Sequence, residues 1–264
     1  MSARTRNNLL YGFMPRHERL SIVGHVGTGC AMRNMVAAVA ITGLCICAAG
    51  CHGEPSQGRK ASTTTTTRTT KAPPPVTEGA LKGFLLAPEQ INAVMGATDM
   101  KVTNSRDTMS DDSATMSPKE CLAIDGSAQA QVYANSGFMA ERDQTLNRQD
   151  GNNLTHFAEQ AVVLFPTAKK AGDFFTASAQ QWQACRDYTH IQSKTHWTVG
   201  AISNANGVLS TVTTLEDPPA TGWKACGRAL VAKNNVIIDV NTCSVDPKNS
   251  AIDIANQIAA KVPG

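Results

Sequence analysis

The sequence has few aromatic residues and lacks the motifs of several common enzyme classes. Its 264 residues include 3 Trp, 3 Tyr and 7 Phe, so we expect a core built mainly from Ala, Val, Ile and Leu. It contains no GxSxG, P-loop, GxGxxG, HExxH or EF-hand pattern, which argues against the hydrolases, nucleotide-binding enzymes, zinc proteases and calcium sensors that carry them. We therefore predict a protein that is not an enzyme and uses no cofactor or metal.

An excess of basic charge is also missing from most of the chain. Residues 1–50 hold five Arg and one Glu, so residues 51–264 carry 19 basic and 20 acidic side chains, a net charge of −1. Proteins that bind nucleic acids usually cluster Lys and Arg on one face. We therefore expect no nucleic-acid partner.

The sequence has no apolar run of the ~20 residues that a membrane-spanning helix needs. Its longest run, residues 35–50, has 16 residues, follows Arg33 and ends in Ala-Ala-Gly-Cys at residues 48–51. This layout is typical of a bacterial lipoprotein signal peptide, which is cleaved before the Cys. We predict that residues 1–50 are removed and that Cys51 carries diacylglycerol and a further acyl chain such as palmitate, because two or more chains anchor a protein stably.

The predicted location is therefore the outer face of the plasma membrane. The alternative is an uncleaved signal anchor. Residues 1–31 are long and unpatterned for a signal peptide, and we interpret them as an over-extended start, with Met14 or Met32 as the first residue, or as a dispensable extension.

A tether is predicted between the anchor and the folded part. Residues 51–80 contain five consecutive Thr residues at 63–67 and three Pro residues at 73–75, with no apolar periodicity. Such a segment cannot bury a core and favours extended, polyproline-like structure. The Thr cluster is also a candidate for O-glycosylation. The folded domain is predicted over residues 81–264.

Four cysteines follow the predicted lipidation site. An even number in an oxidising compartment predicts two disulfides, with three possible pairings. These residues are Cys121, Cys185, Cys226 and Cys243.

The register of a predicted hairpin selects one of these pairings. Two strand-like runs flank two adjacent Asn residues at 234–235, which suit a two-residue turn. With that turn Cys226 lies opposite Cys243 in a non-hydrogen-bonded pair, where Cα atoms are about 4.5 Å apart. Cys121 is then left to pair with Cys185.

Hydrophobic periodicity predicts an α+β domain with an antiparallel sheet packed by helices. The predicted helices cover residues 88–96, 167–185 and 251–262. The predicted strands cover residues 101–103, 138–146, 155–165, 197–200, 208–215, 226–233 and 236–243, with a hairpin turn at 150–153.

Few residues suggest a functional site. The histidines at 156, 190 and 196 lie in or beside strands without a catalytic pattern, and Asp111-Asp112 is interpreted as a solvated loop. Aromatic side chains with a polar group can line a ligand cleft, although packing in the core competes with that role. The candidates for ligand binding are Tyr133, Trp182, Trp197 and Trp223.

A family resemblance covers residues 85–262. The residues that carry it are LAPEQIN at 86–92 with MG at 95–96, Tyr133 with SG at 136–137, the run 162–165, AxxFF at 171–175, WxxC at 182–185 and the terminal cysteine hairpin. In their order and cysteine spacing they resemble the extracellular sensor domain of the mycobacterial Ser/Thr kinase PknH, which also occurs in mycobacterial lipoproteins. The resemblance implies the same two disulfides and a solvent-open cleft that takes a ligand.

Three functions follow from these observations as expectations. The first is a non-enzymatic lipoprotein whose sensor domain binds a small-molecule, lipid or glycan ligand in a cleft. The second is a module that docks another envelope protein, and the third, disfavoured because no nucleophile and base stand together, is an envelope hydrolase. The kinase and its transmembrane helix are replaced here by the predicted anchor and tether, which argues against direct kinase signalling.

Overall fold

An antiparallel sheet of ten strands organises the part of the chain that the structure, a computed structural model, describes, which is residues 73–264. The predicted α+β class is confirmed. The predicted signal peptide, Cys51 and most of the predicted tether lie outside the described residues. Within residues 73–264, no helix is long and apolar enough to cross a membrane.

The strands are paired antiparallel throughout. They are β1 Lys101–Arg106, β2 Met116–Ser117, β3 Ala140–Asp150, β4 Asn153–Leu164, β5 Asp187–His190, β6 Thr195–Val199, β7 Ser203–Ala205, β8 Val208–Leu215, β9 Ala225–Lys233 and β10 Val236–Ser244. Their order across the sheet is β1-β3-β4-β10-β9-β8-β6-β5-β2, with β7 paired to β8.

Helices cover both faces of the sheet. They are α1 Leu81–Phe84, α2 Pro88–Met95, α3 Leu122–Asp125, α4 Ala130–Tyr133, α5 Ala168–Gln181 and α6 Ser250–Lys261. Helices α1, α2 and α6 pack on one face around an apolar cluster that includes Ile238 and Ile254. Helices α3, α4 and α5 pack on the opposite face, around a second cluster that contains both disulfides.

The β9–β10 hairpin has the predicted register. Asn234 adopts a positive φ of 51° in the turn, a conformation that Asn tolerates better than most residues. Cys226 pairs with Cys243 across the two strands, and the disulfide between them has a Cα–Cα distance of 4.1 Å. The second disulfide joins Cys121 and Cys185.

The other long elements also begin and end near their predicted positions. Gly151 takes a positive φ of 58° in the turn between β3 and β4. Helix α5 begins after Thr167, whose side chain accepts a hydrogen bond from the Lys170 backbone N–H, as a helix N-cap does. Helix α2 starts with Pro88 and ends at Gly96, which is left-handed with a φ of 65°.

The folded part begins before the predicted boundary at residue 81. Val76 is buried, and its backbone N–H and carbonyl oxygen are both bonded by the side chain of Asn235, at 2.7 and 3.1 Å. Residues 73–80 share the Pro-rich composition of the rest of the predicted tether. Val76, which follows the three prolines, nevertheless packs into the apolar cluster on the sheet.

The predicted loop after β1 and the segment after α5 contain elements that the sequence did not predict. These are β2, β5, β7, α3 and α4, each of two to four residues. Such short elements show no apolar periodicity. Two of them line the cavity described next: α3 contributes Asp125, and β5 contributes Tyr188 and His190.

Candidate functional site

A cavity of about 380 Å³ lies on the sheet face that carries the two disulfides. We call it the cleft. Its floor is formed by the Cys226–Cys243 disulfide and by residues of β4 and β10, and its walls by β5, β6, the end of β8 and the loop after α3. The aromatic side chains that line it are Phe157, Tyr188, Trp197 and Trp223, and the acidic ones are Asp112, Asp125 and Glu159.

Two of the four predicted aromatic candidates line the cleft. Trp223 meets Phe157 edge to face with 5.5 Å between ring centroids, and both are partly exposed. Trp197 stacks on Tyr188, with ring planes 5° apart and centroids 6.1 Å apart. The cleft therefore has aromatic rings on two sides.

The other two candidates, Tyr133 and Trp182, are packed in the core and do not line the cleft. The Tyr133 hydroxyl donates to Asp239 at 2.9 Å, and its ring stacks on Phe174 of α5 at 4.4 Å. The Arg228 guanidinium lies 5.3 Å from the centre of the Trp182 ring. Tyr133 thus packs against helix α5, and Trp182, in the turn that follows α5, packs beside Arg228 of the sheet.

A buried ion pair positions the loop that forms one wall. Arg228 of β9 contacts Asp239 of β10 at 2.6 Å, and both side chains are almost fully buried. The second Arg228 Nη group donates to the carbonyl oxygens of Ala123 and Gly126 at 2.8 and 3.0 Å. Because Ala123 and Gly126 flank Asp125 in the chain, the Arg228–Asp239 ion pair fixes the position of the Asp125 carboxylate.

Asp125 and His190 form an acid–histidine pair in the wall. His190 Nε2 lies 2.8 Å from Asp125 Oδ1. The hydrogen bond to Asp125, together with the charges of Asp125 and Asp112, raises the pKa of His190 against the opposing effect of burial. His190 therefore holds its proton to a higher pH than a free histidine does.

Glu159 is the most deeply buried acid of the cleft, with 7% of its surface exposed. Ser127 Oγ donates to one carboxylate oxygen at 2.6 Å, and Arg106 Nη2 donates to the other at 2.7 Å. Burial, with the charges of Asp143 and Asp239, raises the pKa of Glu159 to about 7, against the lowering effect of Ser127 and Arg106.

Asp112 stands at the rim of the cleft and is exposed. The Gln129 side chain donates to its carboxylate at 2.8 Å and accepts from its backbone N–H at 2.9 Å. Gln129 therefore fixes the carboxylate at the rim. Among residues 73–264, no group of three or more His, Cys, Asp or Glu side chains is arranged to hold a metal ion.

The sequence interpretation missed the polar residues of the cleft. The sequence pattern places His190 and Asp112 at loop or strand-edge positions and does not distinguish Asp125 or Glu159 as site residues. One signal was available: Glu159 interrupts the apolar run of β4, and a buried acid in a strand needs partners. The other three residues lie in segments whose proximity depends on the fold.

Comparisons with known proteins identify the domain. Residues 76–261 match the model of the PknH-like extracellular domain. The serine/threonine-protein kinase PknH of Mycobacterium bovis is 35% identical over 192 residues, which is 71% of this chain and 32% of the relative. PknH of M. tuberculosis H37Rv is also 35% identical over 192 residues, with 30% of its length covered. PknJ of the same strain is 23% identical over 198 residues, 72% of this chain and 33% of that protein.

The chain spans about a third of the length of these curated relatives. The crystal structure of the extracellular domain of PknH from M. tuberculosis matches with a TM-score of 0.66 and 33% identity, covering 71% of this chain and 97% of that domain. Sequence and fold thus agree over the same region: the chain belongs to the PknH-like extracellular domain family.

Proposed function

We propose that this protein is an extracytoplasmic, lipid-anchored binding protein that takes a small ligand in its cleft. The cleft is the observation that carries the proposal. Small-molecule sites are concave and mostly apolar, of about 300–1,000 Å³, with a few polar groups that orient the ligand. At about 380 Å³, with aromatic walls and three carboxylates, the cleft has this character.

Two observations support the extracytoplasmic location. The relatives' domain is described as extracellular, and disulfides such as the two found here persist mainly in oxidising compartments. The lipobox-like sequence that ends at Cys51 supports anchoring to the outer face of the plasma membrane. The function is binding rather than catalysis, as expected for a sensor domain.

Native mass spectrometry of the full chain, expressed in a mycobacterial host and extracted in detergent, tests the proposal. We expect an adduct of discrete mass that is lost on denaturation. Trp223→Ala removes one wall of the cleft and should reduce the adduct at least about tenfold, because aromatic contacts dominate such sites.

Met139→Ala is the matched control. Met139 is 64% exposed and does not line the cleft, so this variant should keep the full adduct. A wild-type protein that carries no adduct, or an adduct that Trp223→Ala leaves unchanged, contradicts binding in the cleft.

A second candidate function is docking of another envelope protein, and the edge strand β1 favours it. Among the described strands, β1 is the last of the sheet and pairs only with β3. Such an edge can accept a strand from a partner. A photo-crosslinking residue at Val102 of β1 should then capture a discrete partner in intact cells, whereas one at Asp173 on the exposed face of α5 should not. Equal labelling from both positions argues against docking at β1.

A further inference from the structure

We propose that the ligand of the cleft is a small organic cation, an ammonium group on an apolar body. This inference rests on the proposed binding function and adds the chemical class of the ligand. It is carried by the joint placement of carboxylates and aromatic rings around one cavity.

The charge that faces the cavity is negative. Asp112, Asp125 and Glu159 line it, and of the described lining residues none is Lys or Arg. His190 is the one basic group of the lining, and it is already bonded to Asp125. An anionic ligand would therefore be repelled, and a cation attracted, in a partly enclosed space where charges act more strongly than in water.

The nearby arginines do not reverse this charge. Arg106 contacts Glu159 and Asp143 at 2.7 and 3.2 Å and does not line the cavity. Arg228 is buried and paired with Asp239. Each arginine is thus matched by at least one carboxylate, and neither lines the cavity.

The aromatic walls favour a cation over a neutral ligand. The faces of Trp, Tyr and Phe rings attract ammonium groups, most strongly where water is excluded. Trp223 and Phe157, which are partly exposed, and the buried, mutually stacked pair Trp197 and Tyr188 all line the cavity. Both oxygens of Glu159 already accept hydrogen bonds from Ser127 and Arg106, so this residue offers a ligand mainly its charge, from which a neutral ligand gains little.

Isothermal titration calorimetry of the full chain in detergent, with three probes of one shape, tests the inference. The probes are benzylammonium, benzyl alcohol and benzoate, with choline as a second cation. We expect benzylammonium to bind at least about tenfold more tightly than benzyl alcohol, and benzoate not to compete. The inference is overturned if benzyl alcohol binds as tightly as benzylammonium, if benzoate binds more tightly than benzylammonium, or if neither benzylammonium nor choline shows saturable binding.

Variants assign the effect to the cleft. Glu159→Gln should weaken benzylammonium binding about tenfold at pH 8 and leave benzyl alcohol binding unchanged. Asp112→Asn, at the exposed rim, is a second variant that does not disturb the buried contacts of Glu159. Asp173→Asn is the control, because Asp173 lies on α5 in an exposed pair with Lys169 and should bind the cation like wild type.

The affinity for the cation should also rise between pH 6 and pH 8. Glu159, with a pKa of about 7, gains negative charge over this range, and His190 loses positive charge above its raised pKa. The charged and titratable groups that face these two are Arg106, Asp143 and Asp239 for Glu159, and Asp125, Asp112 and Tyr188 for His190. An affinity that falls over this range would contradict a cationic ligand.

The outcomes separate this inference from the function on which it rests. A cleft-dependent adduct from the host, combined with failure of both cations to bind, retains the binding function and rejects the ligand class. Absence of any adduct in the cleft rejects the function.

Discussion

At the scale of single residues, two buried polar side chains of the sheet differ in how they are satisfied. Both oxygens of Glu141 are buried with no hydrogen-bond partner among the described residues, and only 1% of the residue is exposed. Asn235, 2% exposed, uses its side chain to hold three backbone groups. Removing the charge of Glu141 should therefore stabilise the protein, whereas removing the amide of Asn235 should destabilise it.

Glu141→Gln should stabilise the protein at alkaline pH. Burial, with the charge of Asp143, raises the pKa of Glu141 to about 8, so the folded state binds a proton that the unfolded state has released above about pH 4.5. The Glu141 carboxyl therefore lowers the free energy of unfolding of wild type as the pH rises from about 5 through 8. Glu141→Gln has no carboxyl at this position and does not lose stability in this way.

We expect the free energy of unfolding of Glu141→Gln to exceed that of wild type by about 2 kcal/mol at pH 9, and to match it within about 0.5 kcal/mol at pH 5. Urea unfolding at the two pH values measures this difference. A difference independent of pH would show that the carboxyl is not held protonated. Glu89→Gln, on the exposed side of α2, is the control.

Asn235→Ala should destabilise the domain by about 3 kcal/mol, because it leaves the N–H and carbonyl of Val76 and the carbonyl of Phe165 without their partner. Urea unfolding is again the measurement. Asn204→Ala, in exposed β7, should change stability by less than about 0.5 kcal/mol. A loss below about 1 kcal/mol for Asn235→Ala would mean that water replaces the amide.

At the scale of secondary-structure elements, the two disulfides constrain different parts of the sheet face. Cys226–Cys243 joins neighbouring strands, closes a separation of 17 residues and forms the cleft floor. Cys121–Cys185 joins the turn before α3 to the chain after α5 and closes 64 residues. Cys121 comes directly before α3 and Cys185 shortly before β5, two elements that line the cleft, but only the Cys226–Cys243 bond lines it.

Removing each disulfide as a pair of Cys→Ala changes should show this difference. Loop-closure entropy predicts a loss of about 4 kcal/mol without Cys121–Cys185 and about 3 kcal/mol without Cys226–Cys243. Unfolding measured under non-reducing conditions gives both values. We expect ligand binding to weaken more without Cys226–Cys243, although that variant is the more stable one. The reverse order of ligand loss would contradict the assignment of this disulfide to the cleft floor.

At the scale of the whole molecule, the proposed function requires an anchored domain whose ligand binds only the folded state. Cys51→Ala should abolish incorporation of a labelled fatty acid and release the protein from the membrane fraction, because the anchor is the proposed link to the bilayer. Metabolic labelling and fractionation measure both effects. Equal labelling of wild type and variant would contradict lipidation at Cys51, and Cys47→Ala, upstream of the predicted cut, should behave like wild type.

A ligand that binds only the folded domain should also stabilise it as a whole. Benzylammonium at 100 times its Kd should raise the free energy of unfolding by about 2.7 kcal/mol, which corresponds to a Tm increase of about 5–10 °C for a domain of this size. Thermal unfolding followed by circular dichroism measures the shift. With binding at least about tenfold weaker, Trp223→Ala should show at most about half of this shift at the same concentration, and a shift equal to that of wild type would place binding outside the cleft.

Local sequence patterns predict the export signal, which stays a prediction, and they predict the long elements of the domain and the register of the β9–β10 hairpin, which the structure confirms. These features depend on local chemistry: apolar periodicity, turn residues at 150–153 and 234–235, and the alternation of paired residues in a strand. For that reason the pairing of Cys226 with Cys243 followed from counting outward from the turn.

Which residues form the cleft depends on the tertiary structure. Trp182 lies in a predicted helix and Trp197 begins a predicted strand, but the first is buried beside Arg228 in the turn after α5 while the second lines the cavity. Asp125, Glu159 and His190 come from three segments that lie apart in the chain and meet over one disulfide. No local pattern encodes that meeting, because it depends on strand order across the sheet and on the buried Arg228–Asp239 pair that holds the loop after α3.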